Sequence, residues 1–255
     1  LGIIALVLVA AAISAWLGRR LLARPLGTVA GELDHIERFE LDAVKYHPSR
    51  ITELDELSGT ISRMASGLVA FLKYLPADMV RILVSDGVEA RPGGTQRELT
   101  VLFADVAGFT GMSERLGEDV VPLLGAYLDI VSNTVQAENG TVDKFIGDAV
   151  MAFWGAPNEN PDHAAAACQA ALKAVRAIAA SGLTDDRGQP LHVRIGINSG
   201  SVLVGNIGSD ARLNYTAIGD AVNVASRLES ANKRDGSSII IGERTRALAG
   251  DAIIV

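Results

Sequence analysis

The hydrophobic pattern changes character along the chain. Residues 1–17, LGIIALVLVAAAISAWL, carry no charge, and with Leu21 and Leu22 they approach the roughly 20 apolar residues a helix needs to cross a bilayer. Arg19 and Arg20 follow directly. They read as the cytoplasmic flank of a membrane helix over 1–18, with Trp16 at the interface. A secretory signal is the rival, but no charged region and no initiator Met precedes the apolar run, so the segment reads as the end of a membrane region. Next come two narrow stripes. Leu22, Leu26, Val29, Leu33 and Ile36 recur at alternating steps of four and three, as do Leu54, Leu57, Ile61, Met64, Leu68, Phe71 and Leu75. Such seams predict helices that need partners. Pro48 breaks any helix between them, and Thr52 is placed to cap the second, with Glu53, Asp55 and Glu56 near its positive end.

Beyond Phe71 a short helix (PADMVRILV) and a Gly/Pro-rich loop (GVEARPGGTQ) predict a linker over 73–97. From residue 98 the period shortens. LTVLFADV reads as a strand. Val120, Leu124, Tyr127, Val131 and Val135 share one helical face, and TVDKFIGDAVMAFW reads as two strands around a Gly-Asp turn. An Ala-rich helix over 162–180 with Asp162 as cap, the strands LHVRIGI, SVLVGNIG and LNYTAI, a helix over 220–234, a strand at SSIII, and a short helix over 243–249 complete the pattern. The chain ends in what reads as a further strand. Strand pairs alternating with helices predict an α+β fold, one mixed sheet with helices packed on it.

Composition narrows the function. A net charge of −7 with no basic patch argues against a nucleic-acid surface. The single cysteine, Cys168, excludes an internal disulfide framework or a thiolate metal site and reads as a small buried residue in a reducing compartment.

Asp105 ends the strand LTVLFADV, and the small residues after it let backbone N–H groups approach an anion. Asp148 stands in the turn after Gly147. From spacing alone this pair reads either as ordinary turn residues or as carboxylates sharing hard cations such as Mg²⁺. Asn223 and Arg227 lie one helical turn apart. They read either as a solvated face or as an amide and a cation that hold a hydroxyl and a phosphate.

Longer strings are more specific. Pro25 in the first amphipathic helix and ITELDELSGTISRM opening the second resemble a HAMP linker over 19–72. That likeness implies a dimeric parallel four-helix bundle with a relay role. FADVAGFT, DKFIGDAVMAFWG, RIGINSGSVLVGNIGS and YTAIGDAVNVASRLE, in that order, resemble a class III nucleotide cyclase catalytic domain over 98–255. The resemblance implies the cyclase sandwich fold and a homodimer binding ATP between subunits, with two Mg²⁺ or Mn²⁺ per site. It makes Asp105, Asp148 and the Val106 backbone metal ligands, and Gly108, Phe109 and Thr110 a phosphate cradle. One chain would supply these. Lys144 and Thr216 for the base, and Asn223 and Arg227 for the ribose and transition state, would come from the other.

The resemblance also frames base choice. Adenine offers an acceptor at N1 and a donor at its 6-amino group, which suits Lys144 and Thr216; guanine reverses both. Guanylyl cyclases of this family usually carry Glu and Cys there, so ATP is the expected substrate. Many relatives have Asp where Thr216 stands. Threonine is the weaker acceptor, which predicts looser selectivity against GTP and places the chain beside a bicarbonate-responsive subgroup. The implied whole is an adenylyl cyclase in the inner membrane, regulated through HAMP, with HAMP and catalytic domains cytoplasmic. The alternatives are a non-catalytic nucleotide-binding module and a guanylyl cyclase. Finally, IGDAV occurs at 146–150 and at 218–222. The first copy is expected to hold a ligand and the second to start a helix with Asp220 as its N-cap.

Overall fold

The uncharged N-terminal run is helical in the computed structural model, which describes residues 2–72, 91–209 and 212–252. The chain divides into two units, Leu1–Glu89 and Ala90–Val255. In the first, α1 (Gly2–Gly18), a π-helical turn (Arg19–Ala23) and α2 (Arg24–Glu37) follow without a break. This run, Gly2–Glu37, is long and apolar enough to cross a membrane by length and composition. The π turn has a local cause: Pro25 has no N–H for the helical ladder and its ring crowds the preceding turn. Arg24 N–H accordingly reaches five residues back to the Arg19 carbonyl. Arg20 sits over the Trp16 ring, 5.1 Å from its centroid, a cation–π contact suited to an interface.

After a 3₁₀ turn (Leu41–Ala43), α3 (Thr52–Leu72) packs on α2. Val29, Leu41, Leu54, Ile61 and Ala65 are buried in this unit. The connector is tied down by polar groups. Glu32 is buried, accepts the Lys45 N–H at 2.7 Å and pairs with His47 Nε2 at 2.6 Å. His47 N–H donates to Ser58 Oγ at 2.8 Å. Thr52 is the first residue of α3 rather than its cap: the Ile51 carbonyl accepts the N–H groups of Leu54 and Asp55. The Asp55 carboxylate instead reaches back to Ser49 N–H and Tyr46 O–H. Half of each seam stays uncovered, with Leu26, Leu33, Leu57, Met64 and Phe71 all more than two-fifths exposed.

The second unit is built on a six-stranded sheet ordered β2-β3-β1-β4-β5, with β6 added parallel to β4. Its strands are β1 (Gly93–Val106), β2 (Thr141–Ile146), β3 (Ala149–Trp154), β4 (Val193–Ser209), β5 (Arg212–Ile218) and β6 (Ile239–Ile241). The helices are α4 (Phe109–Leu116), α5 (Val120–Ala137), α6 (His163–Ser181), α7 (Asp220–Asp235) and α8 (Glu243–Ala249). Alternation along β1 divides the core between two faces. Leu102, Ala104 and Val106 pack with Tyr127, Val131 and Val135 of α5 and the alanines of α6. Leu99 and Val101 pack with Phe153, Val202, Val204 and Ala225 of α7.

Three boundaries in the second unit also differ from the sequence reading. β1 begins at Gly93 rather than residue 98, because Gly93–Arg97 pair with Val202–Asn206. Here the backbones close tightly: a side chain on Gly205 would lie 2.3 Å from the Gly93 carbonyl. The two strands expected around Ser199 are one continuous β4. The N-cap of α7 is Gly219, and Asp220 is its first helical residue, so Asp220 adds negative charge at the positive helix end without capping it. Asp162 is the α6 N-cap as expected, though no side-chain cap bond forms. The helix expected at 76–84 and the strand expected at the C-terminus, 253–255, lie outside the described residues.

Candidate active site

The first cluster forms where β1 ends. Asp105 and Asp148 come together because β1 pairs with β3 up to Ala104↔Val150, which sets the β2–β3 turn beside the end of β1. Gly147 permits that turn with φ +66°. Val106 N–H donates to Asp148 Oδ2 at 3.1 Å. Burial and the Asp105 carboxylate push Asp148 up to about 7. Opposite Asp105 in the sheet is Arg194, whose guanidinium pairs with Asp105 and, at 3.0 Å, with Glu229 of α7. Burial raises Glu229, and the Asp105 charge adds to that. Tyr127 is fully buried below this group, its hydroxyl without a partner among the described residues. Burial first, then the charges of Asp105, Asp148 and Glu229, hold its proton well above the usual range.

This balance fits a divalent cation. Three carboxylates gather near one guanidinium, which pairs with Asp105 and Glu229, and two of the three, Asp148 and Glu229, are driven toward their neutral forms. A cation at Asp105 and Asp148 would relieve that repulsion. No group of three or more His, Cys, Asp or Glu side chains placed to hold a metal occurs among the described residues, so further ligands would be backbone, water or substrate oxygens. Directly after the strand, Gly108 turns with φ +74° and caps α4. Its carbonyl accepts Met112 N–H, which leaves the N–H groups of Phe109, Thr110 and Gly111 as the helix's unpaired donors, a suitable seat for phosphate. The Phe109 ring packs against the core, so only its backbone is available there.

The second cluster joins the outer strands of the sheet. Although β2 and β5 are ends of the strand order, Lys144 Nζ on β2 donates to Thr216 Oγ1 on β5 at 3.1 Å. The sheet's twist allows this, helped by a register shift between Val142 and Lys144 that turns Asp143 inward. The Asp143 side chain is 1% exposed and lies 3.3 Å from Lys144 Nζ. It accepts the Thr216 hydroxyl proton. Burial raises its pKa, against the opposing pull of Thr216, Lys144 and Ala217 N–H.

Asn223 and Arg227 occupy the exposed face of α7, one turn apart. In this single chain the expected residues therefore form separate groups: Asp105 with Asp148, Lys144 with Thr216, and the Asn223–Arg227 face. Asp143, Arg194, Glu229 and Tyr127 were missed by sequence reasoning. A charged residue interrupting an apolar strand, as Arg194 does in LHVRIGI, was the available signal. Tyr127 carried none, because a tyrosine on an apolar helical face reads as core.

Residues 93–250 match the family described as adenylate and guanylate cyclase catalytic domain. Adenylate cyclase 1 of Rhizobium meliloti (strain 1021) is 33% identical over 255 residues, spanning 97% of this chain and 38% of that protein. The solved adenylyl cyclase CyaB from P. aeruginosa is 38% identical, with a TM-score of 0.55 over 64% of this chain and 85% of that one. A bacterial light-regulated adenylyl cyclase is 26% identical with a TM-score of 0.68, over 77% of this chain and 58% of that one. The chain thus spans well under half the length of the curated relative from Rhizobium meliloti. With the match covering most of its length and the carboxylate pair set at the strand end, the chain belongs to the adenylate and guanylate cyclase catalytic domain family.

Proposed function

We propose that the chain is the cytoplasmic part and adjoining membrane helix of an adenylyl cyclase that converts ATP to 3′,5′-cyclic AMP and pyrophosphate at sites shared by two copies. The observation that carries this reading is the separation of the expected residues into complementary groups within one chain. Asp105 and Asp148 would hold the metal, and Lys144, Thr216, Asn223 and Arg227 would complete the partner copy's site. The adenylate cyclases among its relatives support ATP as substrate, as does the Lys144–Thr216 pair.

In this mechanism Asp105, Asp148 and the Val106 backbone would hold two Mg²⁺ or Mn²⁺. Bound there, the metal would acidify the ribose 3′-hydroxyl and offset the charge of the triphosphate. The N–H groups of Phe109, Thr110 and Gly111 would orient the phosphates. Asn223 would fix the ribose for in-line attack on the α-phosphorus. Arg227 would stabilise the charge that grows on the transferring group. No protein nucleophile is needed, since the substrate supplies its own hydroxyl. The apolar Gly2–Glu37 helix supports membrane anchoring, and the half-covered seams of α2 and α3 support a HAMP-type bundle formed by two copies.

The test is complementation. The purified full chain should form cyclic AMP from ATP with Mg²⁺ or Mn²⁺, and faster than cyclic GMP from GTP. Asp105→Ala and Arg227→Ala should each lose nearly all turnover. Mixed, they should recover activity, because a mixed dimer retains one intact site. Folded mutants that fail to complement would refute the shared site, and a folded wild type making no cyclic AMP with either metal would refute the activity.

A further inference from the structure

The Lys144–Thr216 pair has a buried third member. A hydroxyl has one proton to give and two lone pairs to offer. The Thr216 proton goes to Asp143 Oδ2, and one lone pair accepts Lys144 Nζ at 3.1 Å. What remains on Thr216 is a single acceptor. Lys144 has three donors; Thr216 takes one and Asp143 Oδ1 faces Nζ at 3.3 Å, leaving one spare. The pair can therefore present one donor beside one acceptor. That is the complement of adenine, with its N1 acceptor and 6-amino donor, and a mismatch to guanine.

We propose that Asp143 is a specificity-determining positioning residue: by taking the Thr216 hydroxyl proton it leaves Thr216 able only to accept, and so selects adenine over guanine. The inference rests on the assignment of Lys144 and Thr216 to the base made above.

Asp143 suits this role for two reasons. The Lys144 ammonium 3.3 Å away favours the charged carboxylate of Asp143, which has no proton to give, so the bond to Thr216 has only one direction. The side chain is also held fast: it is 1% exposed, stands at a strand irregularity, and takes a further hydrogen bond from Ala217 N–H. Without such a partner the Thr216 hydroxyl would rotate and donate to O6 of guanine, the loose selectivity that threonine alone predicts. Asp143 restores the discrimination from behind, without touching the base.

The experiment measures kcat and KM of the full chain for ATP, GTP and inosine triphosphate, which presents N1–H and O6 without the 2-amino group. Wild type, Asp143→Asn, Thr216→Val and the double variant are compared, with folding checked by thermal melting. The asparagine amide can donate as well as accept, so it frees the hydroxyl. Asp143→Asn should narrow the ATP preference in kcat/KM over both other nucleotides by about tenfold, the size of one hydrogen bond made or lost. In the Thr216→Val background the same change should leave that preference unaltered. An unchanged ratio in folded Asp143→Asn that still forms cyclic AMP overturns the inference alone, as does an equal loss on all three nucleotides. Absence of cyclic AMP from folded wild type removes the underlying assignment as well. Should Asp143→Asn fail to fold, the wild type decides: purine riboside triphosphate, lacking the 6-amino donor, should fall about tenfold below ATP in kcat/KM, and equal turnover would refute an acceptor at Thr216.

Discussion

Asp148 holds its proton more tightly in the folded chain than in water, because burial and the Asp105 carboxylate raise it to about 7 from 3.8. Across that interval the native state binds more protons than the unfolded chain, so its stability falls as pH rises. In chelator, the melting temperature should drop between about pH 4 and pH 7, and Asp148→Asn should flatten that drop. At the upper pH, Mg²⁺ should raise the wild-type melting temperature but not that of the variant. A level wild-type profile, or an equal Mg²⁺ shift in both proteins, would contradict this account. At this scale the sequence was informative about residues with a motif around them: the structure brings Asp105 to Asp148 and Lys144 to Thr216, and sets Asn223 and Arg227 on one exposed helix face, while their roles remain those proposed above. It was silent on Glu229 and Asp143, and on Arg194 it offered only a charge interrupting an apolar strand. Their importance depends on which residue stands opposite, and cross-strand register is not written locally. Arg194 matters because it faces Asp105, 89 positions away in the chain.

Between elements, a close joint lies where α7 crosses β4. A side-chain carbon on Gly196 would sit 2.1 Å from the Glu229 nitrogen and 2.3 Å from the Ala225 carbonyl, both backbone atoms of the helix. Gly196→Ala should therefore push α7 off the sheet and cost about 3 kcal/mol, at the upper end for overpacking, as read by denaturant unfolding. Turnover should fall too, because Asn223 and Arg227 ride on that helix. Gly125 on α5 is the control, with nothing within 4 Å of the same added carbon; Gly125→Ala should stabilise by about 0.5–1 kcal/mol. A Gly196→Ala chain as stable as wild type would refute the close joint. The elements themselves were largely readable. Helical stripes such as Tyr127, Val131 and Val135 and alternation such as that along LTVLFADV have unambiguous periods. Apart from Thr52, expected as a cap and found inside α3, the misreadings fell where glycine carries the backbone. Gly93 and Gly94 read as loop yet pair with β4, the glycines around Ser199 read as a break in a strand that continues, and Gly219 took the capping position expected of Asp220.

For the whole molecule, the open seam of the first unit predicts assembly. Leu26, Leu33, Leu57, Met64 and Phe71 stay exposed in one copy, and a second copy could cover them with the same stripe. Leu57→Asp should shift sedimentation toward monomer and lower cyclase activity in parallel, since each proposed site needs residues of two chains. An unchanged dimer would place the contact elsewhere. The two units divide at Glu89 and Ala90, inside the segment expected as a linker over 73–97; the half-covered state of the seams was not legible, because a heptad shows that a partner is needed without saying how much of the stripe a neighbour in the same chain already covers. One strand has a consequence for how such a chain can change its length. β4 sets Arg194 opposite Asp105 near one end and Gly205 opposite Thr216 near the other. An inserted residue between them would reverse the faces of everything beyond it, turning either the charge-bearing end or the base-bearing end away. The turn at 184–190, tied by its own bridge and bonds, lies outside that interval. Lengthening is therefore tolerable at the turn and forbidden within the strand, so descendants of this chain should vary in size at the first place and keep an unvarying count at the second.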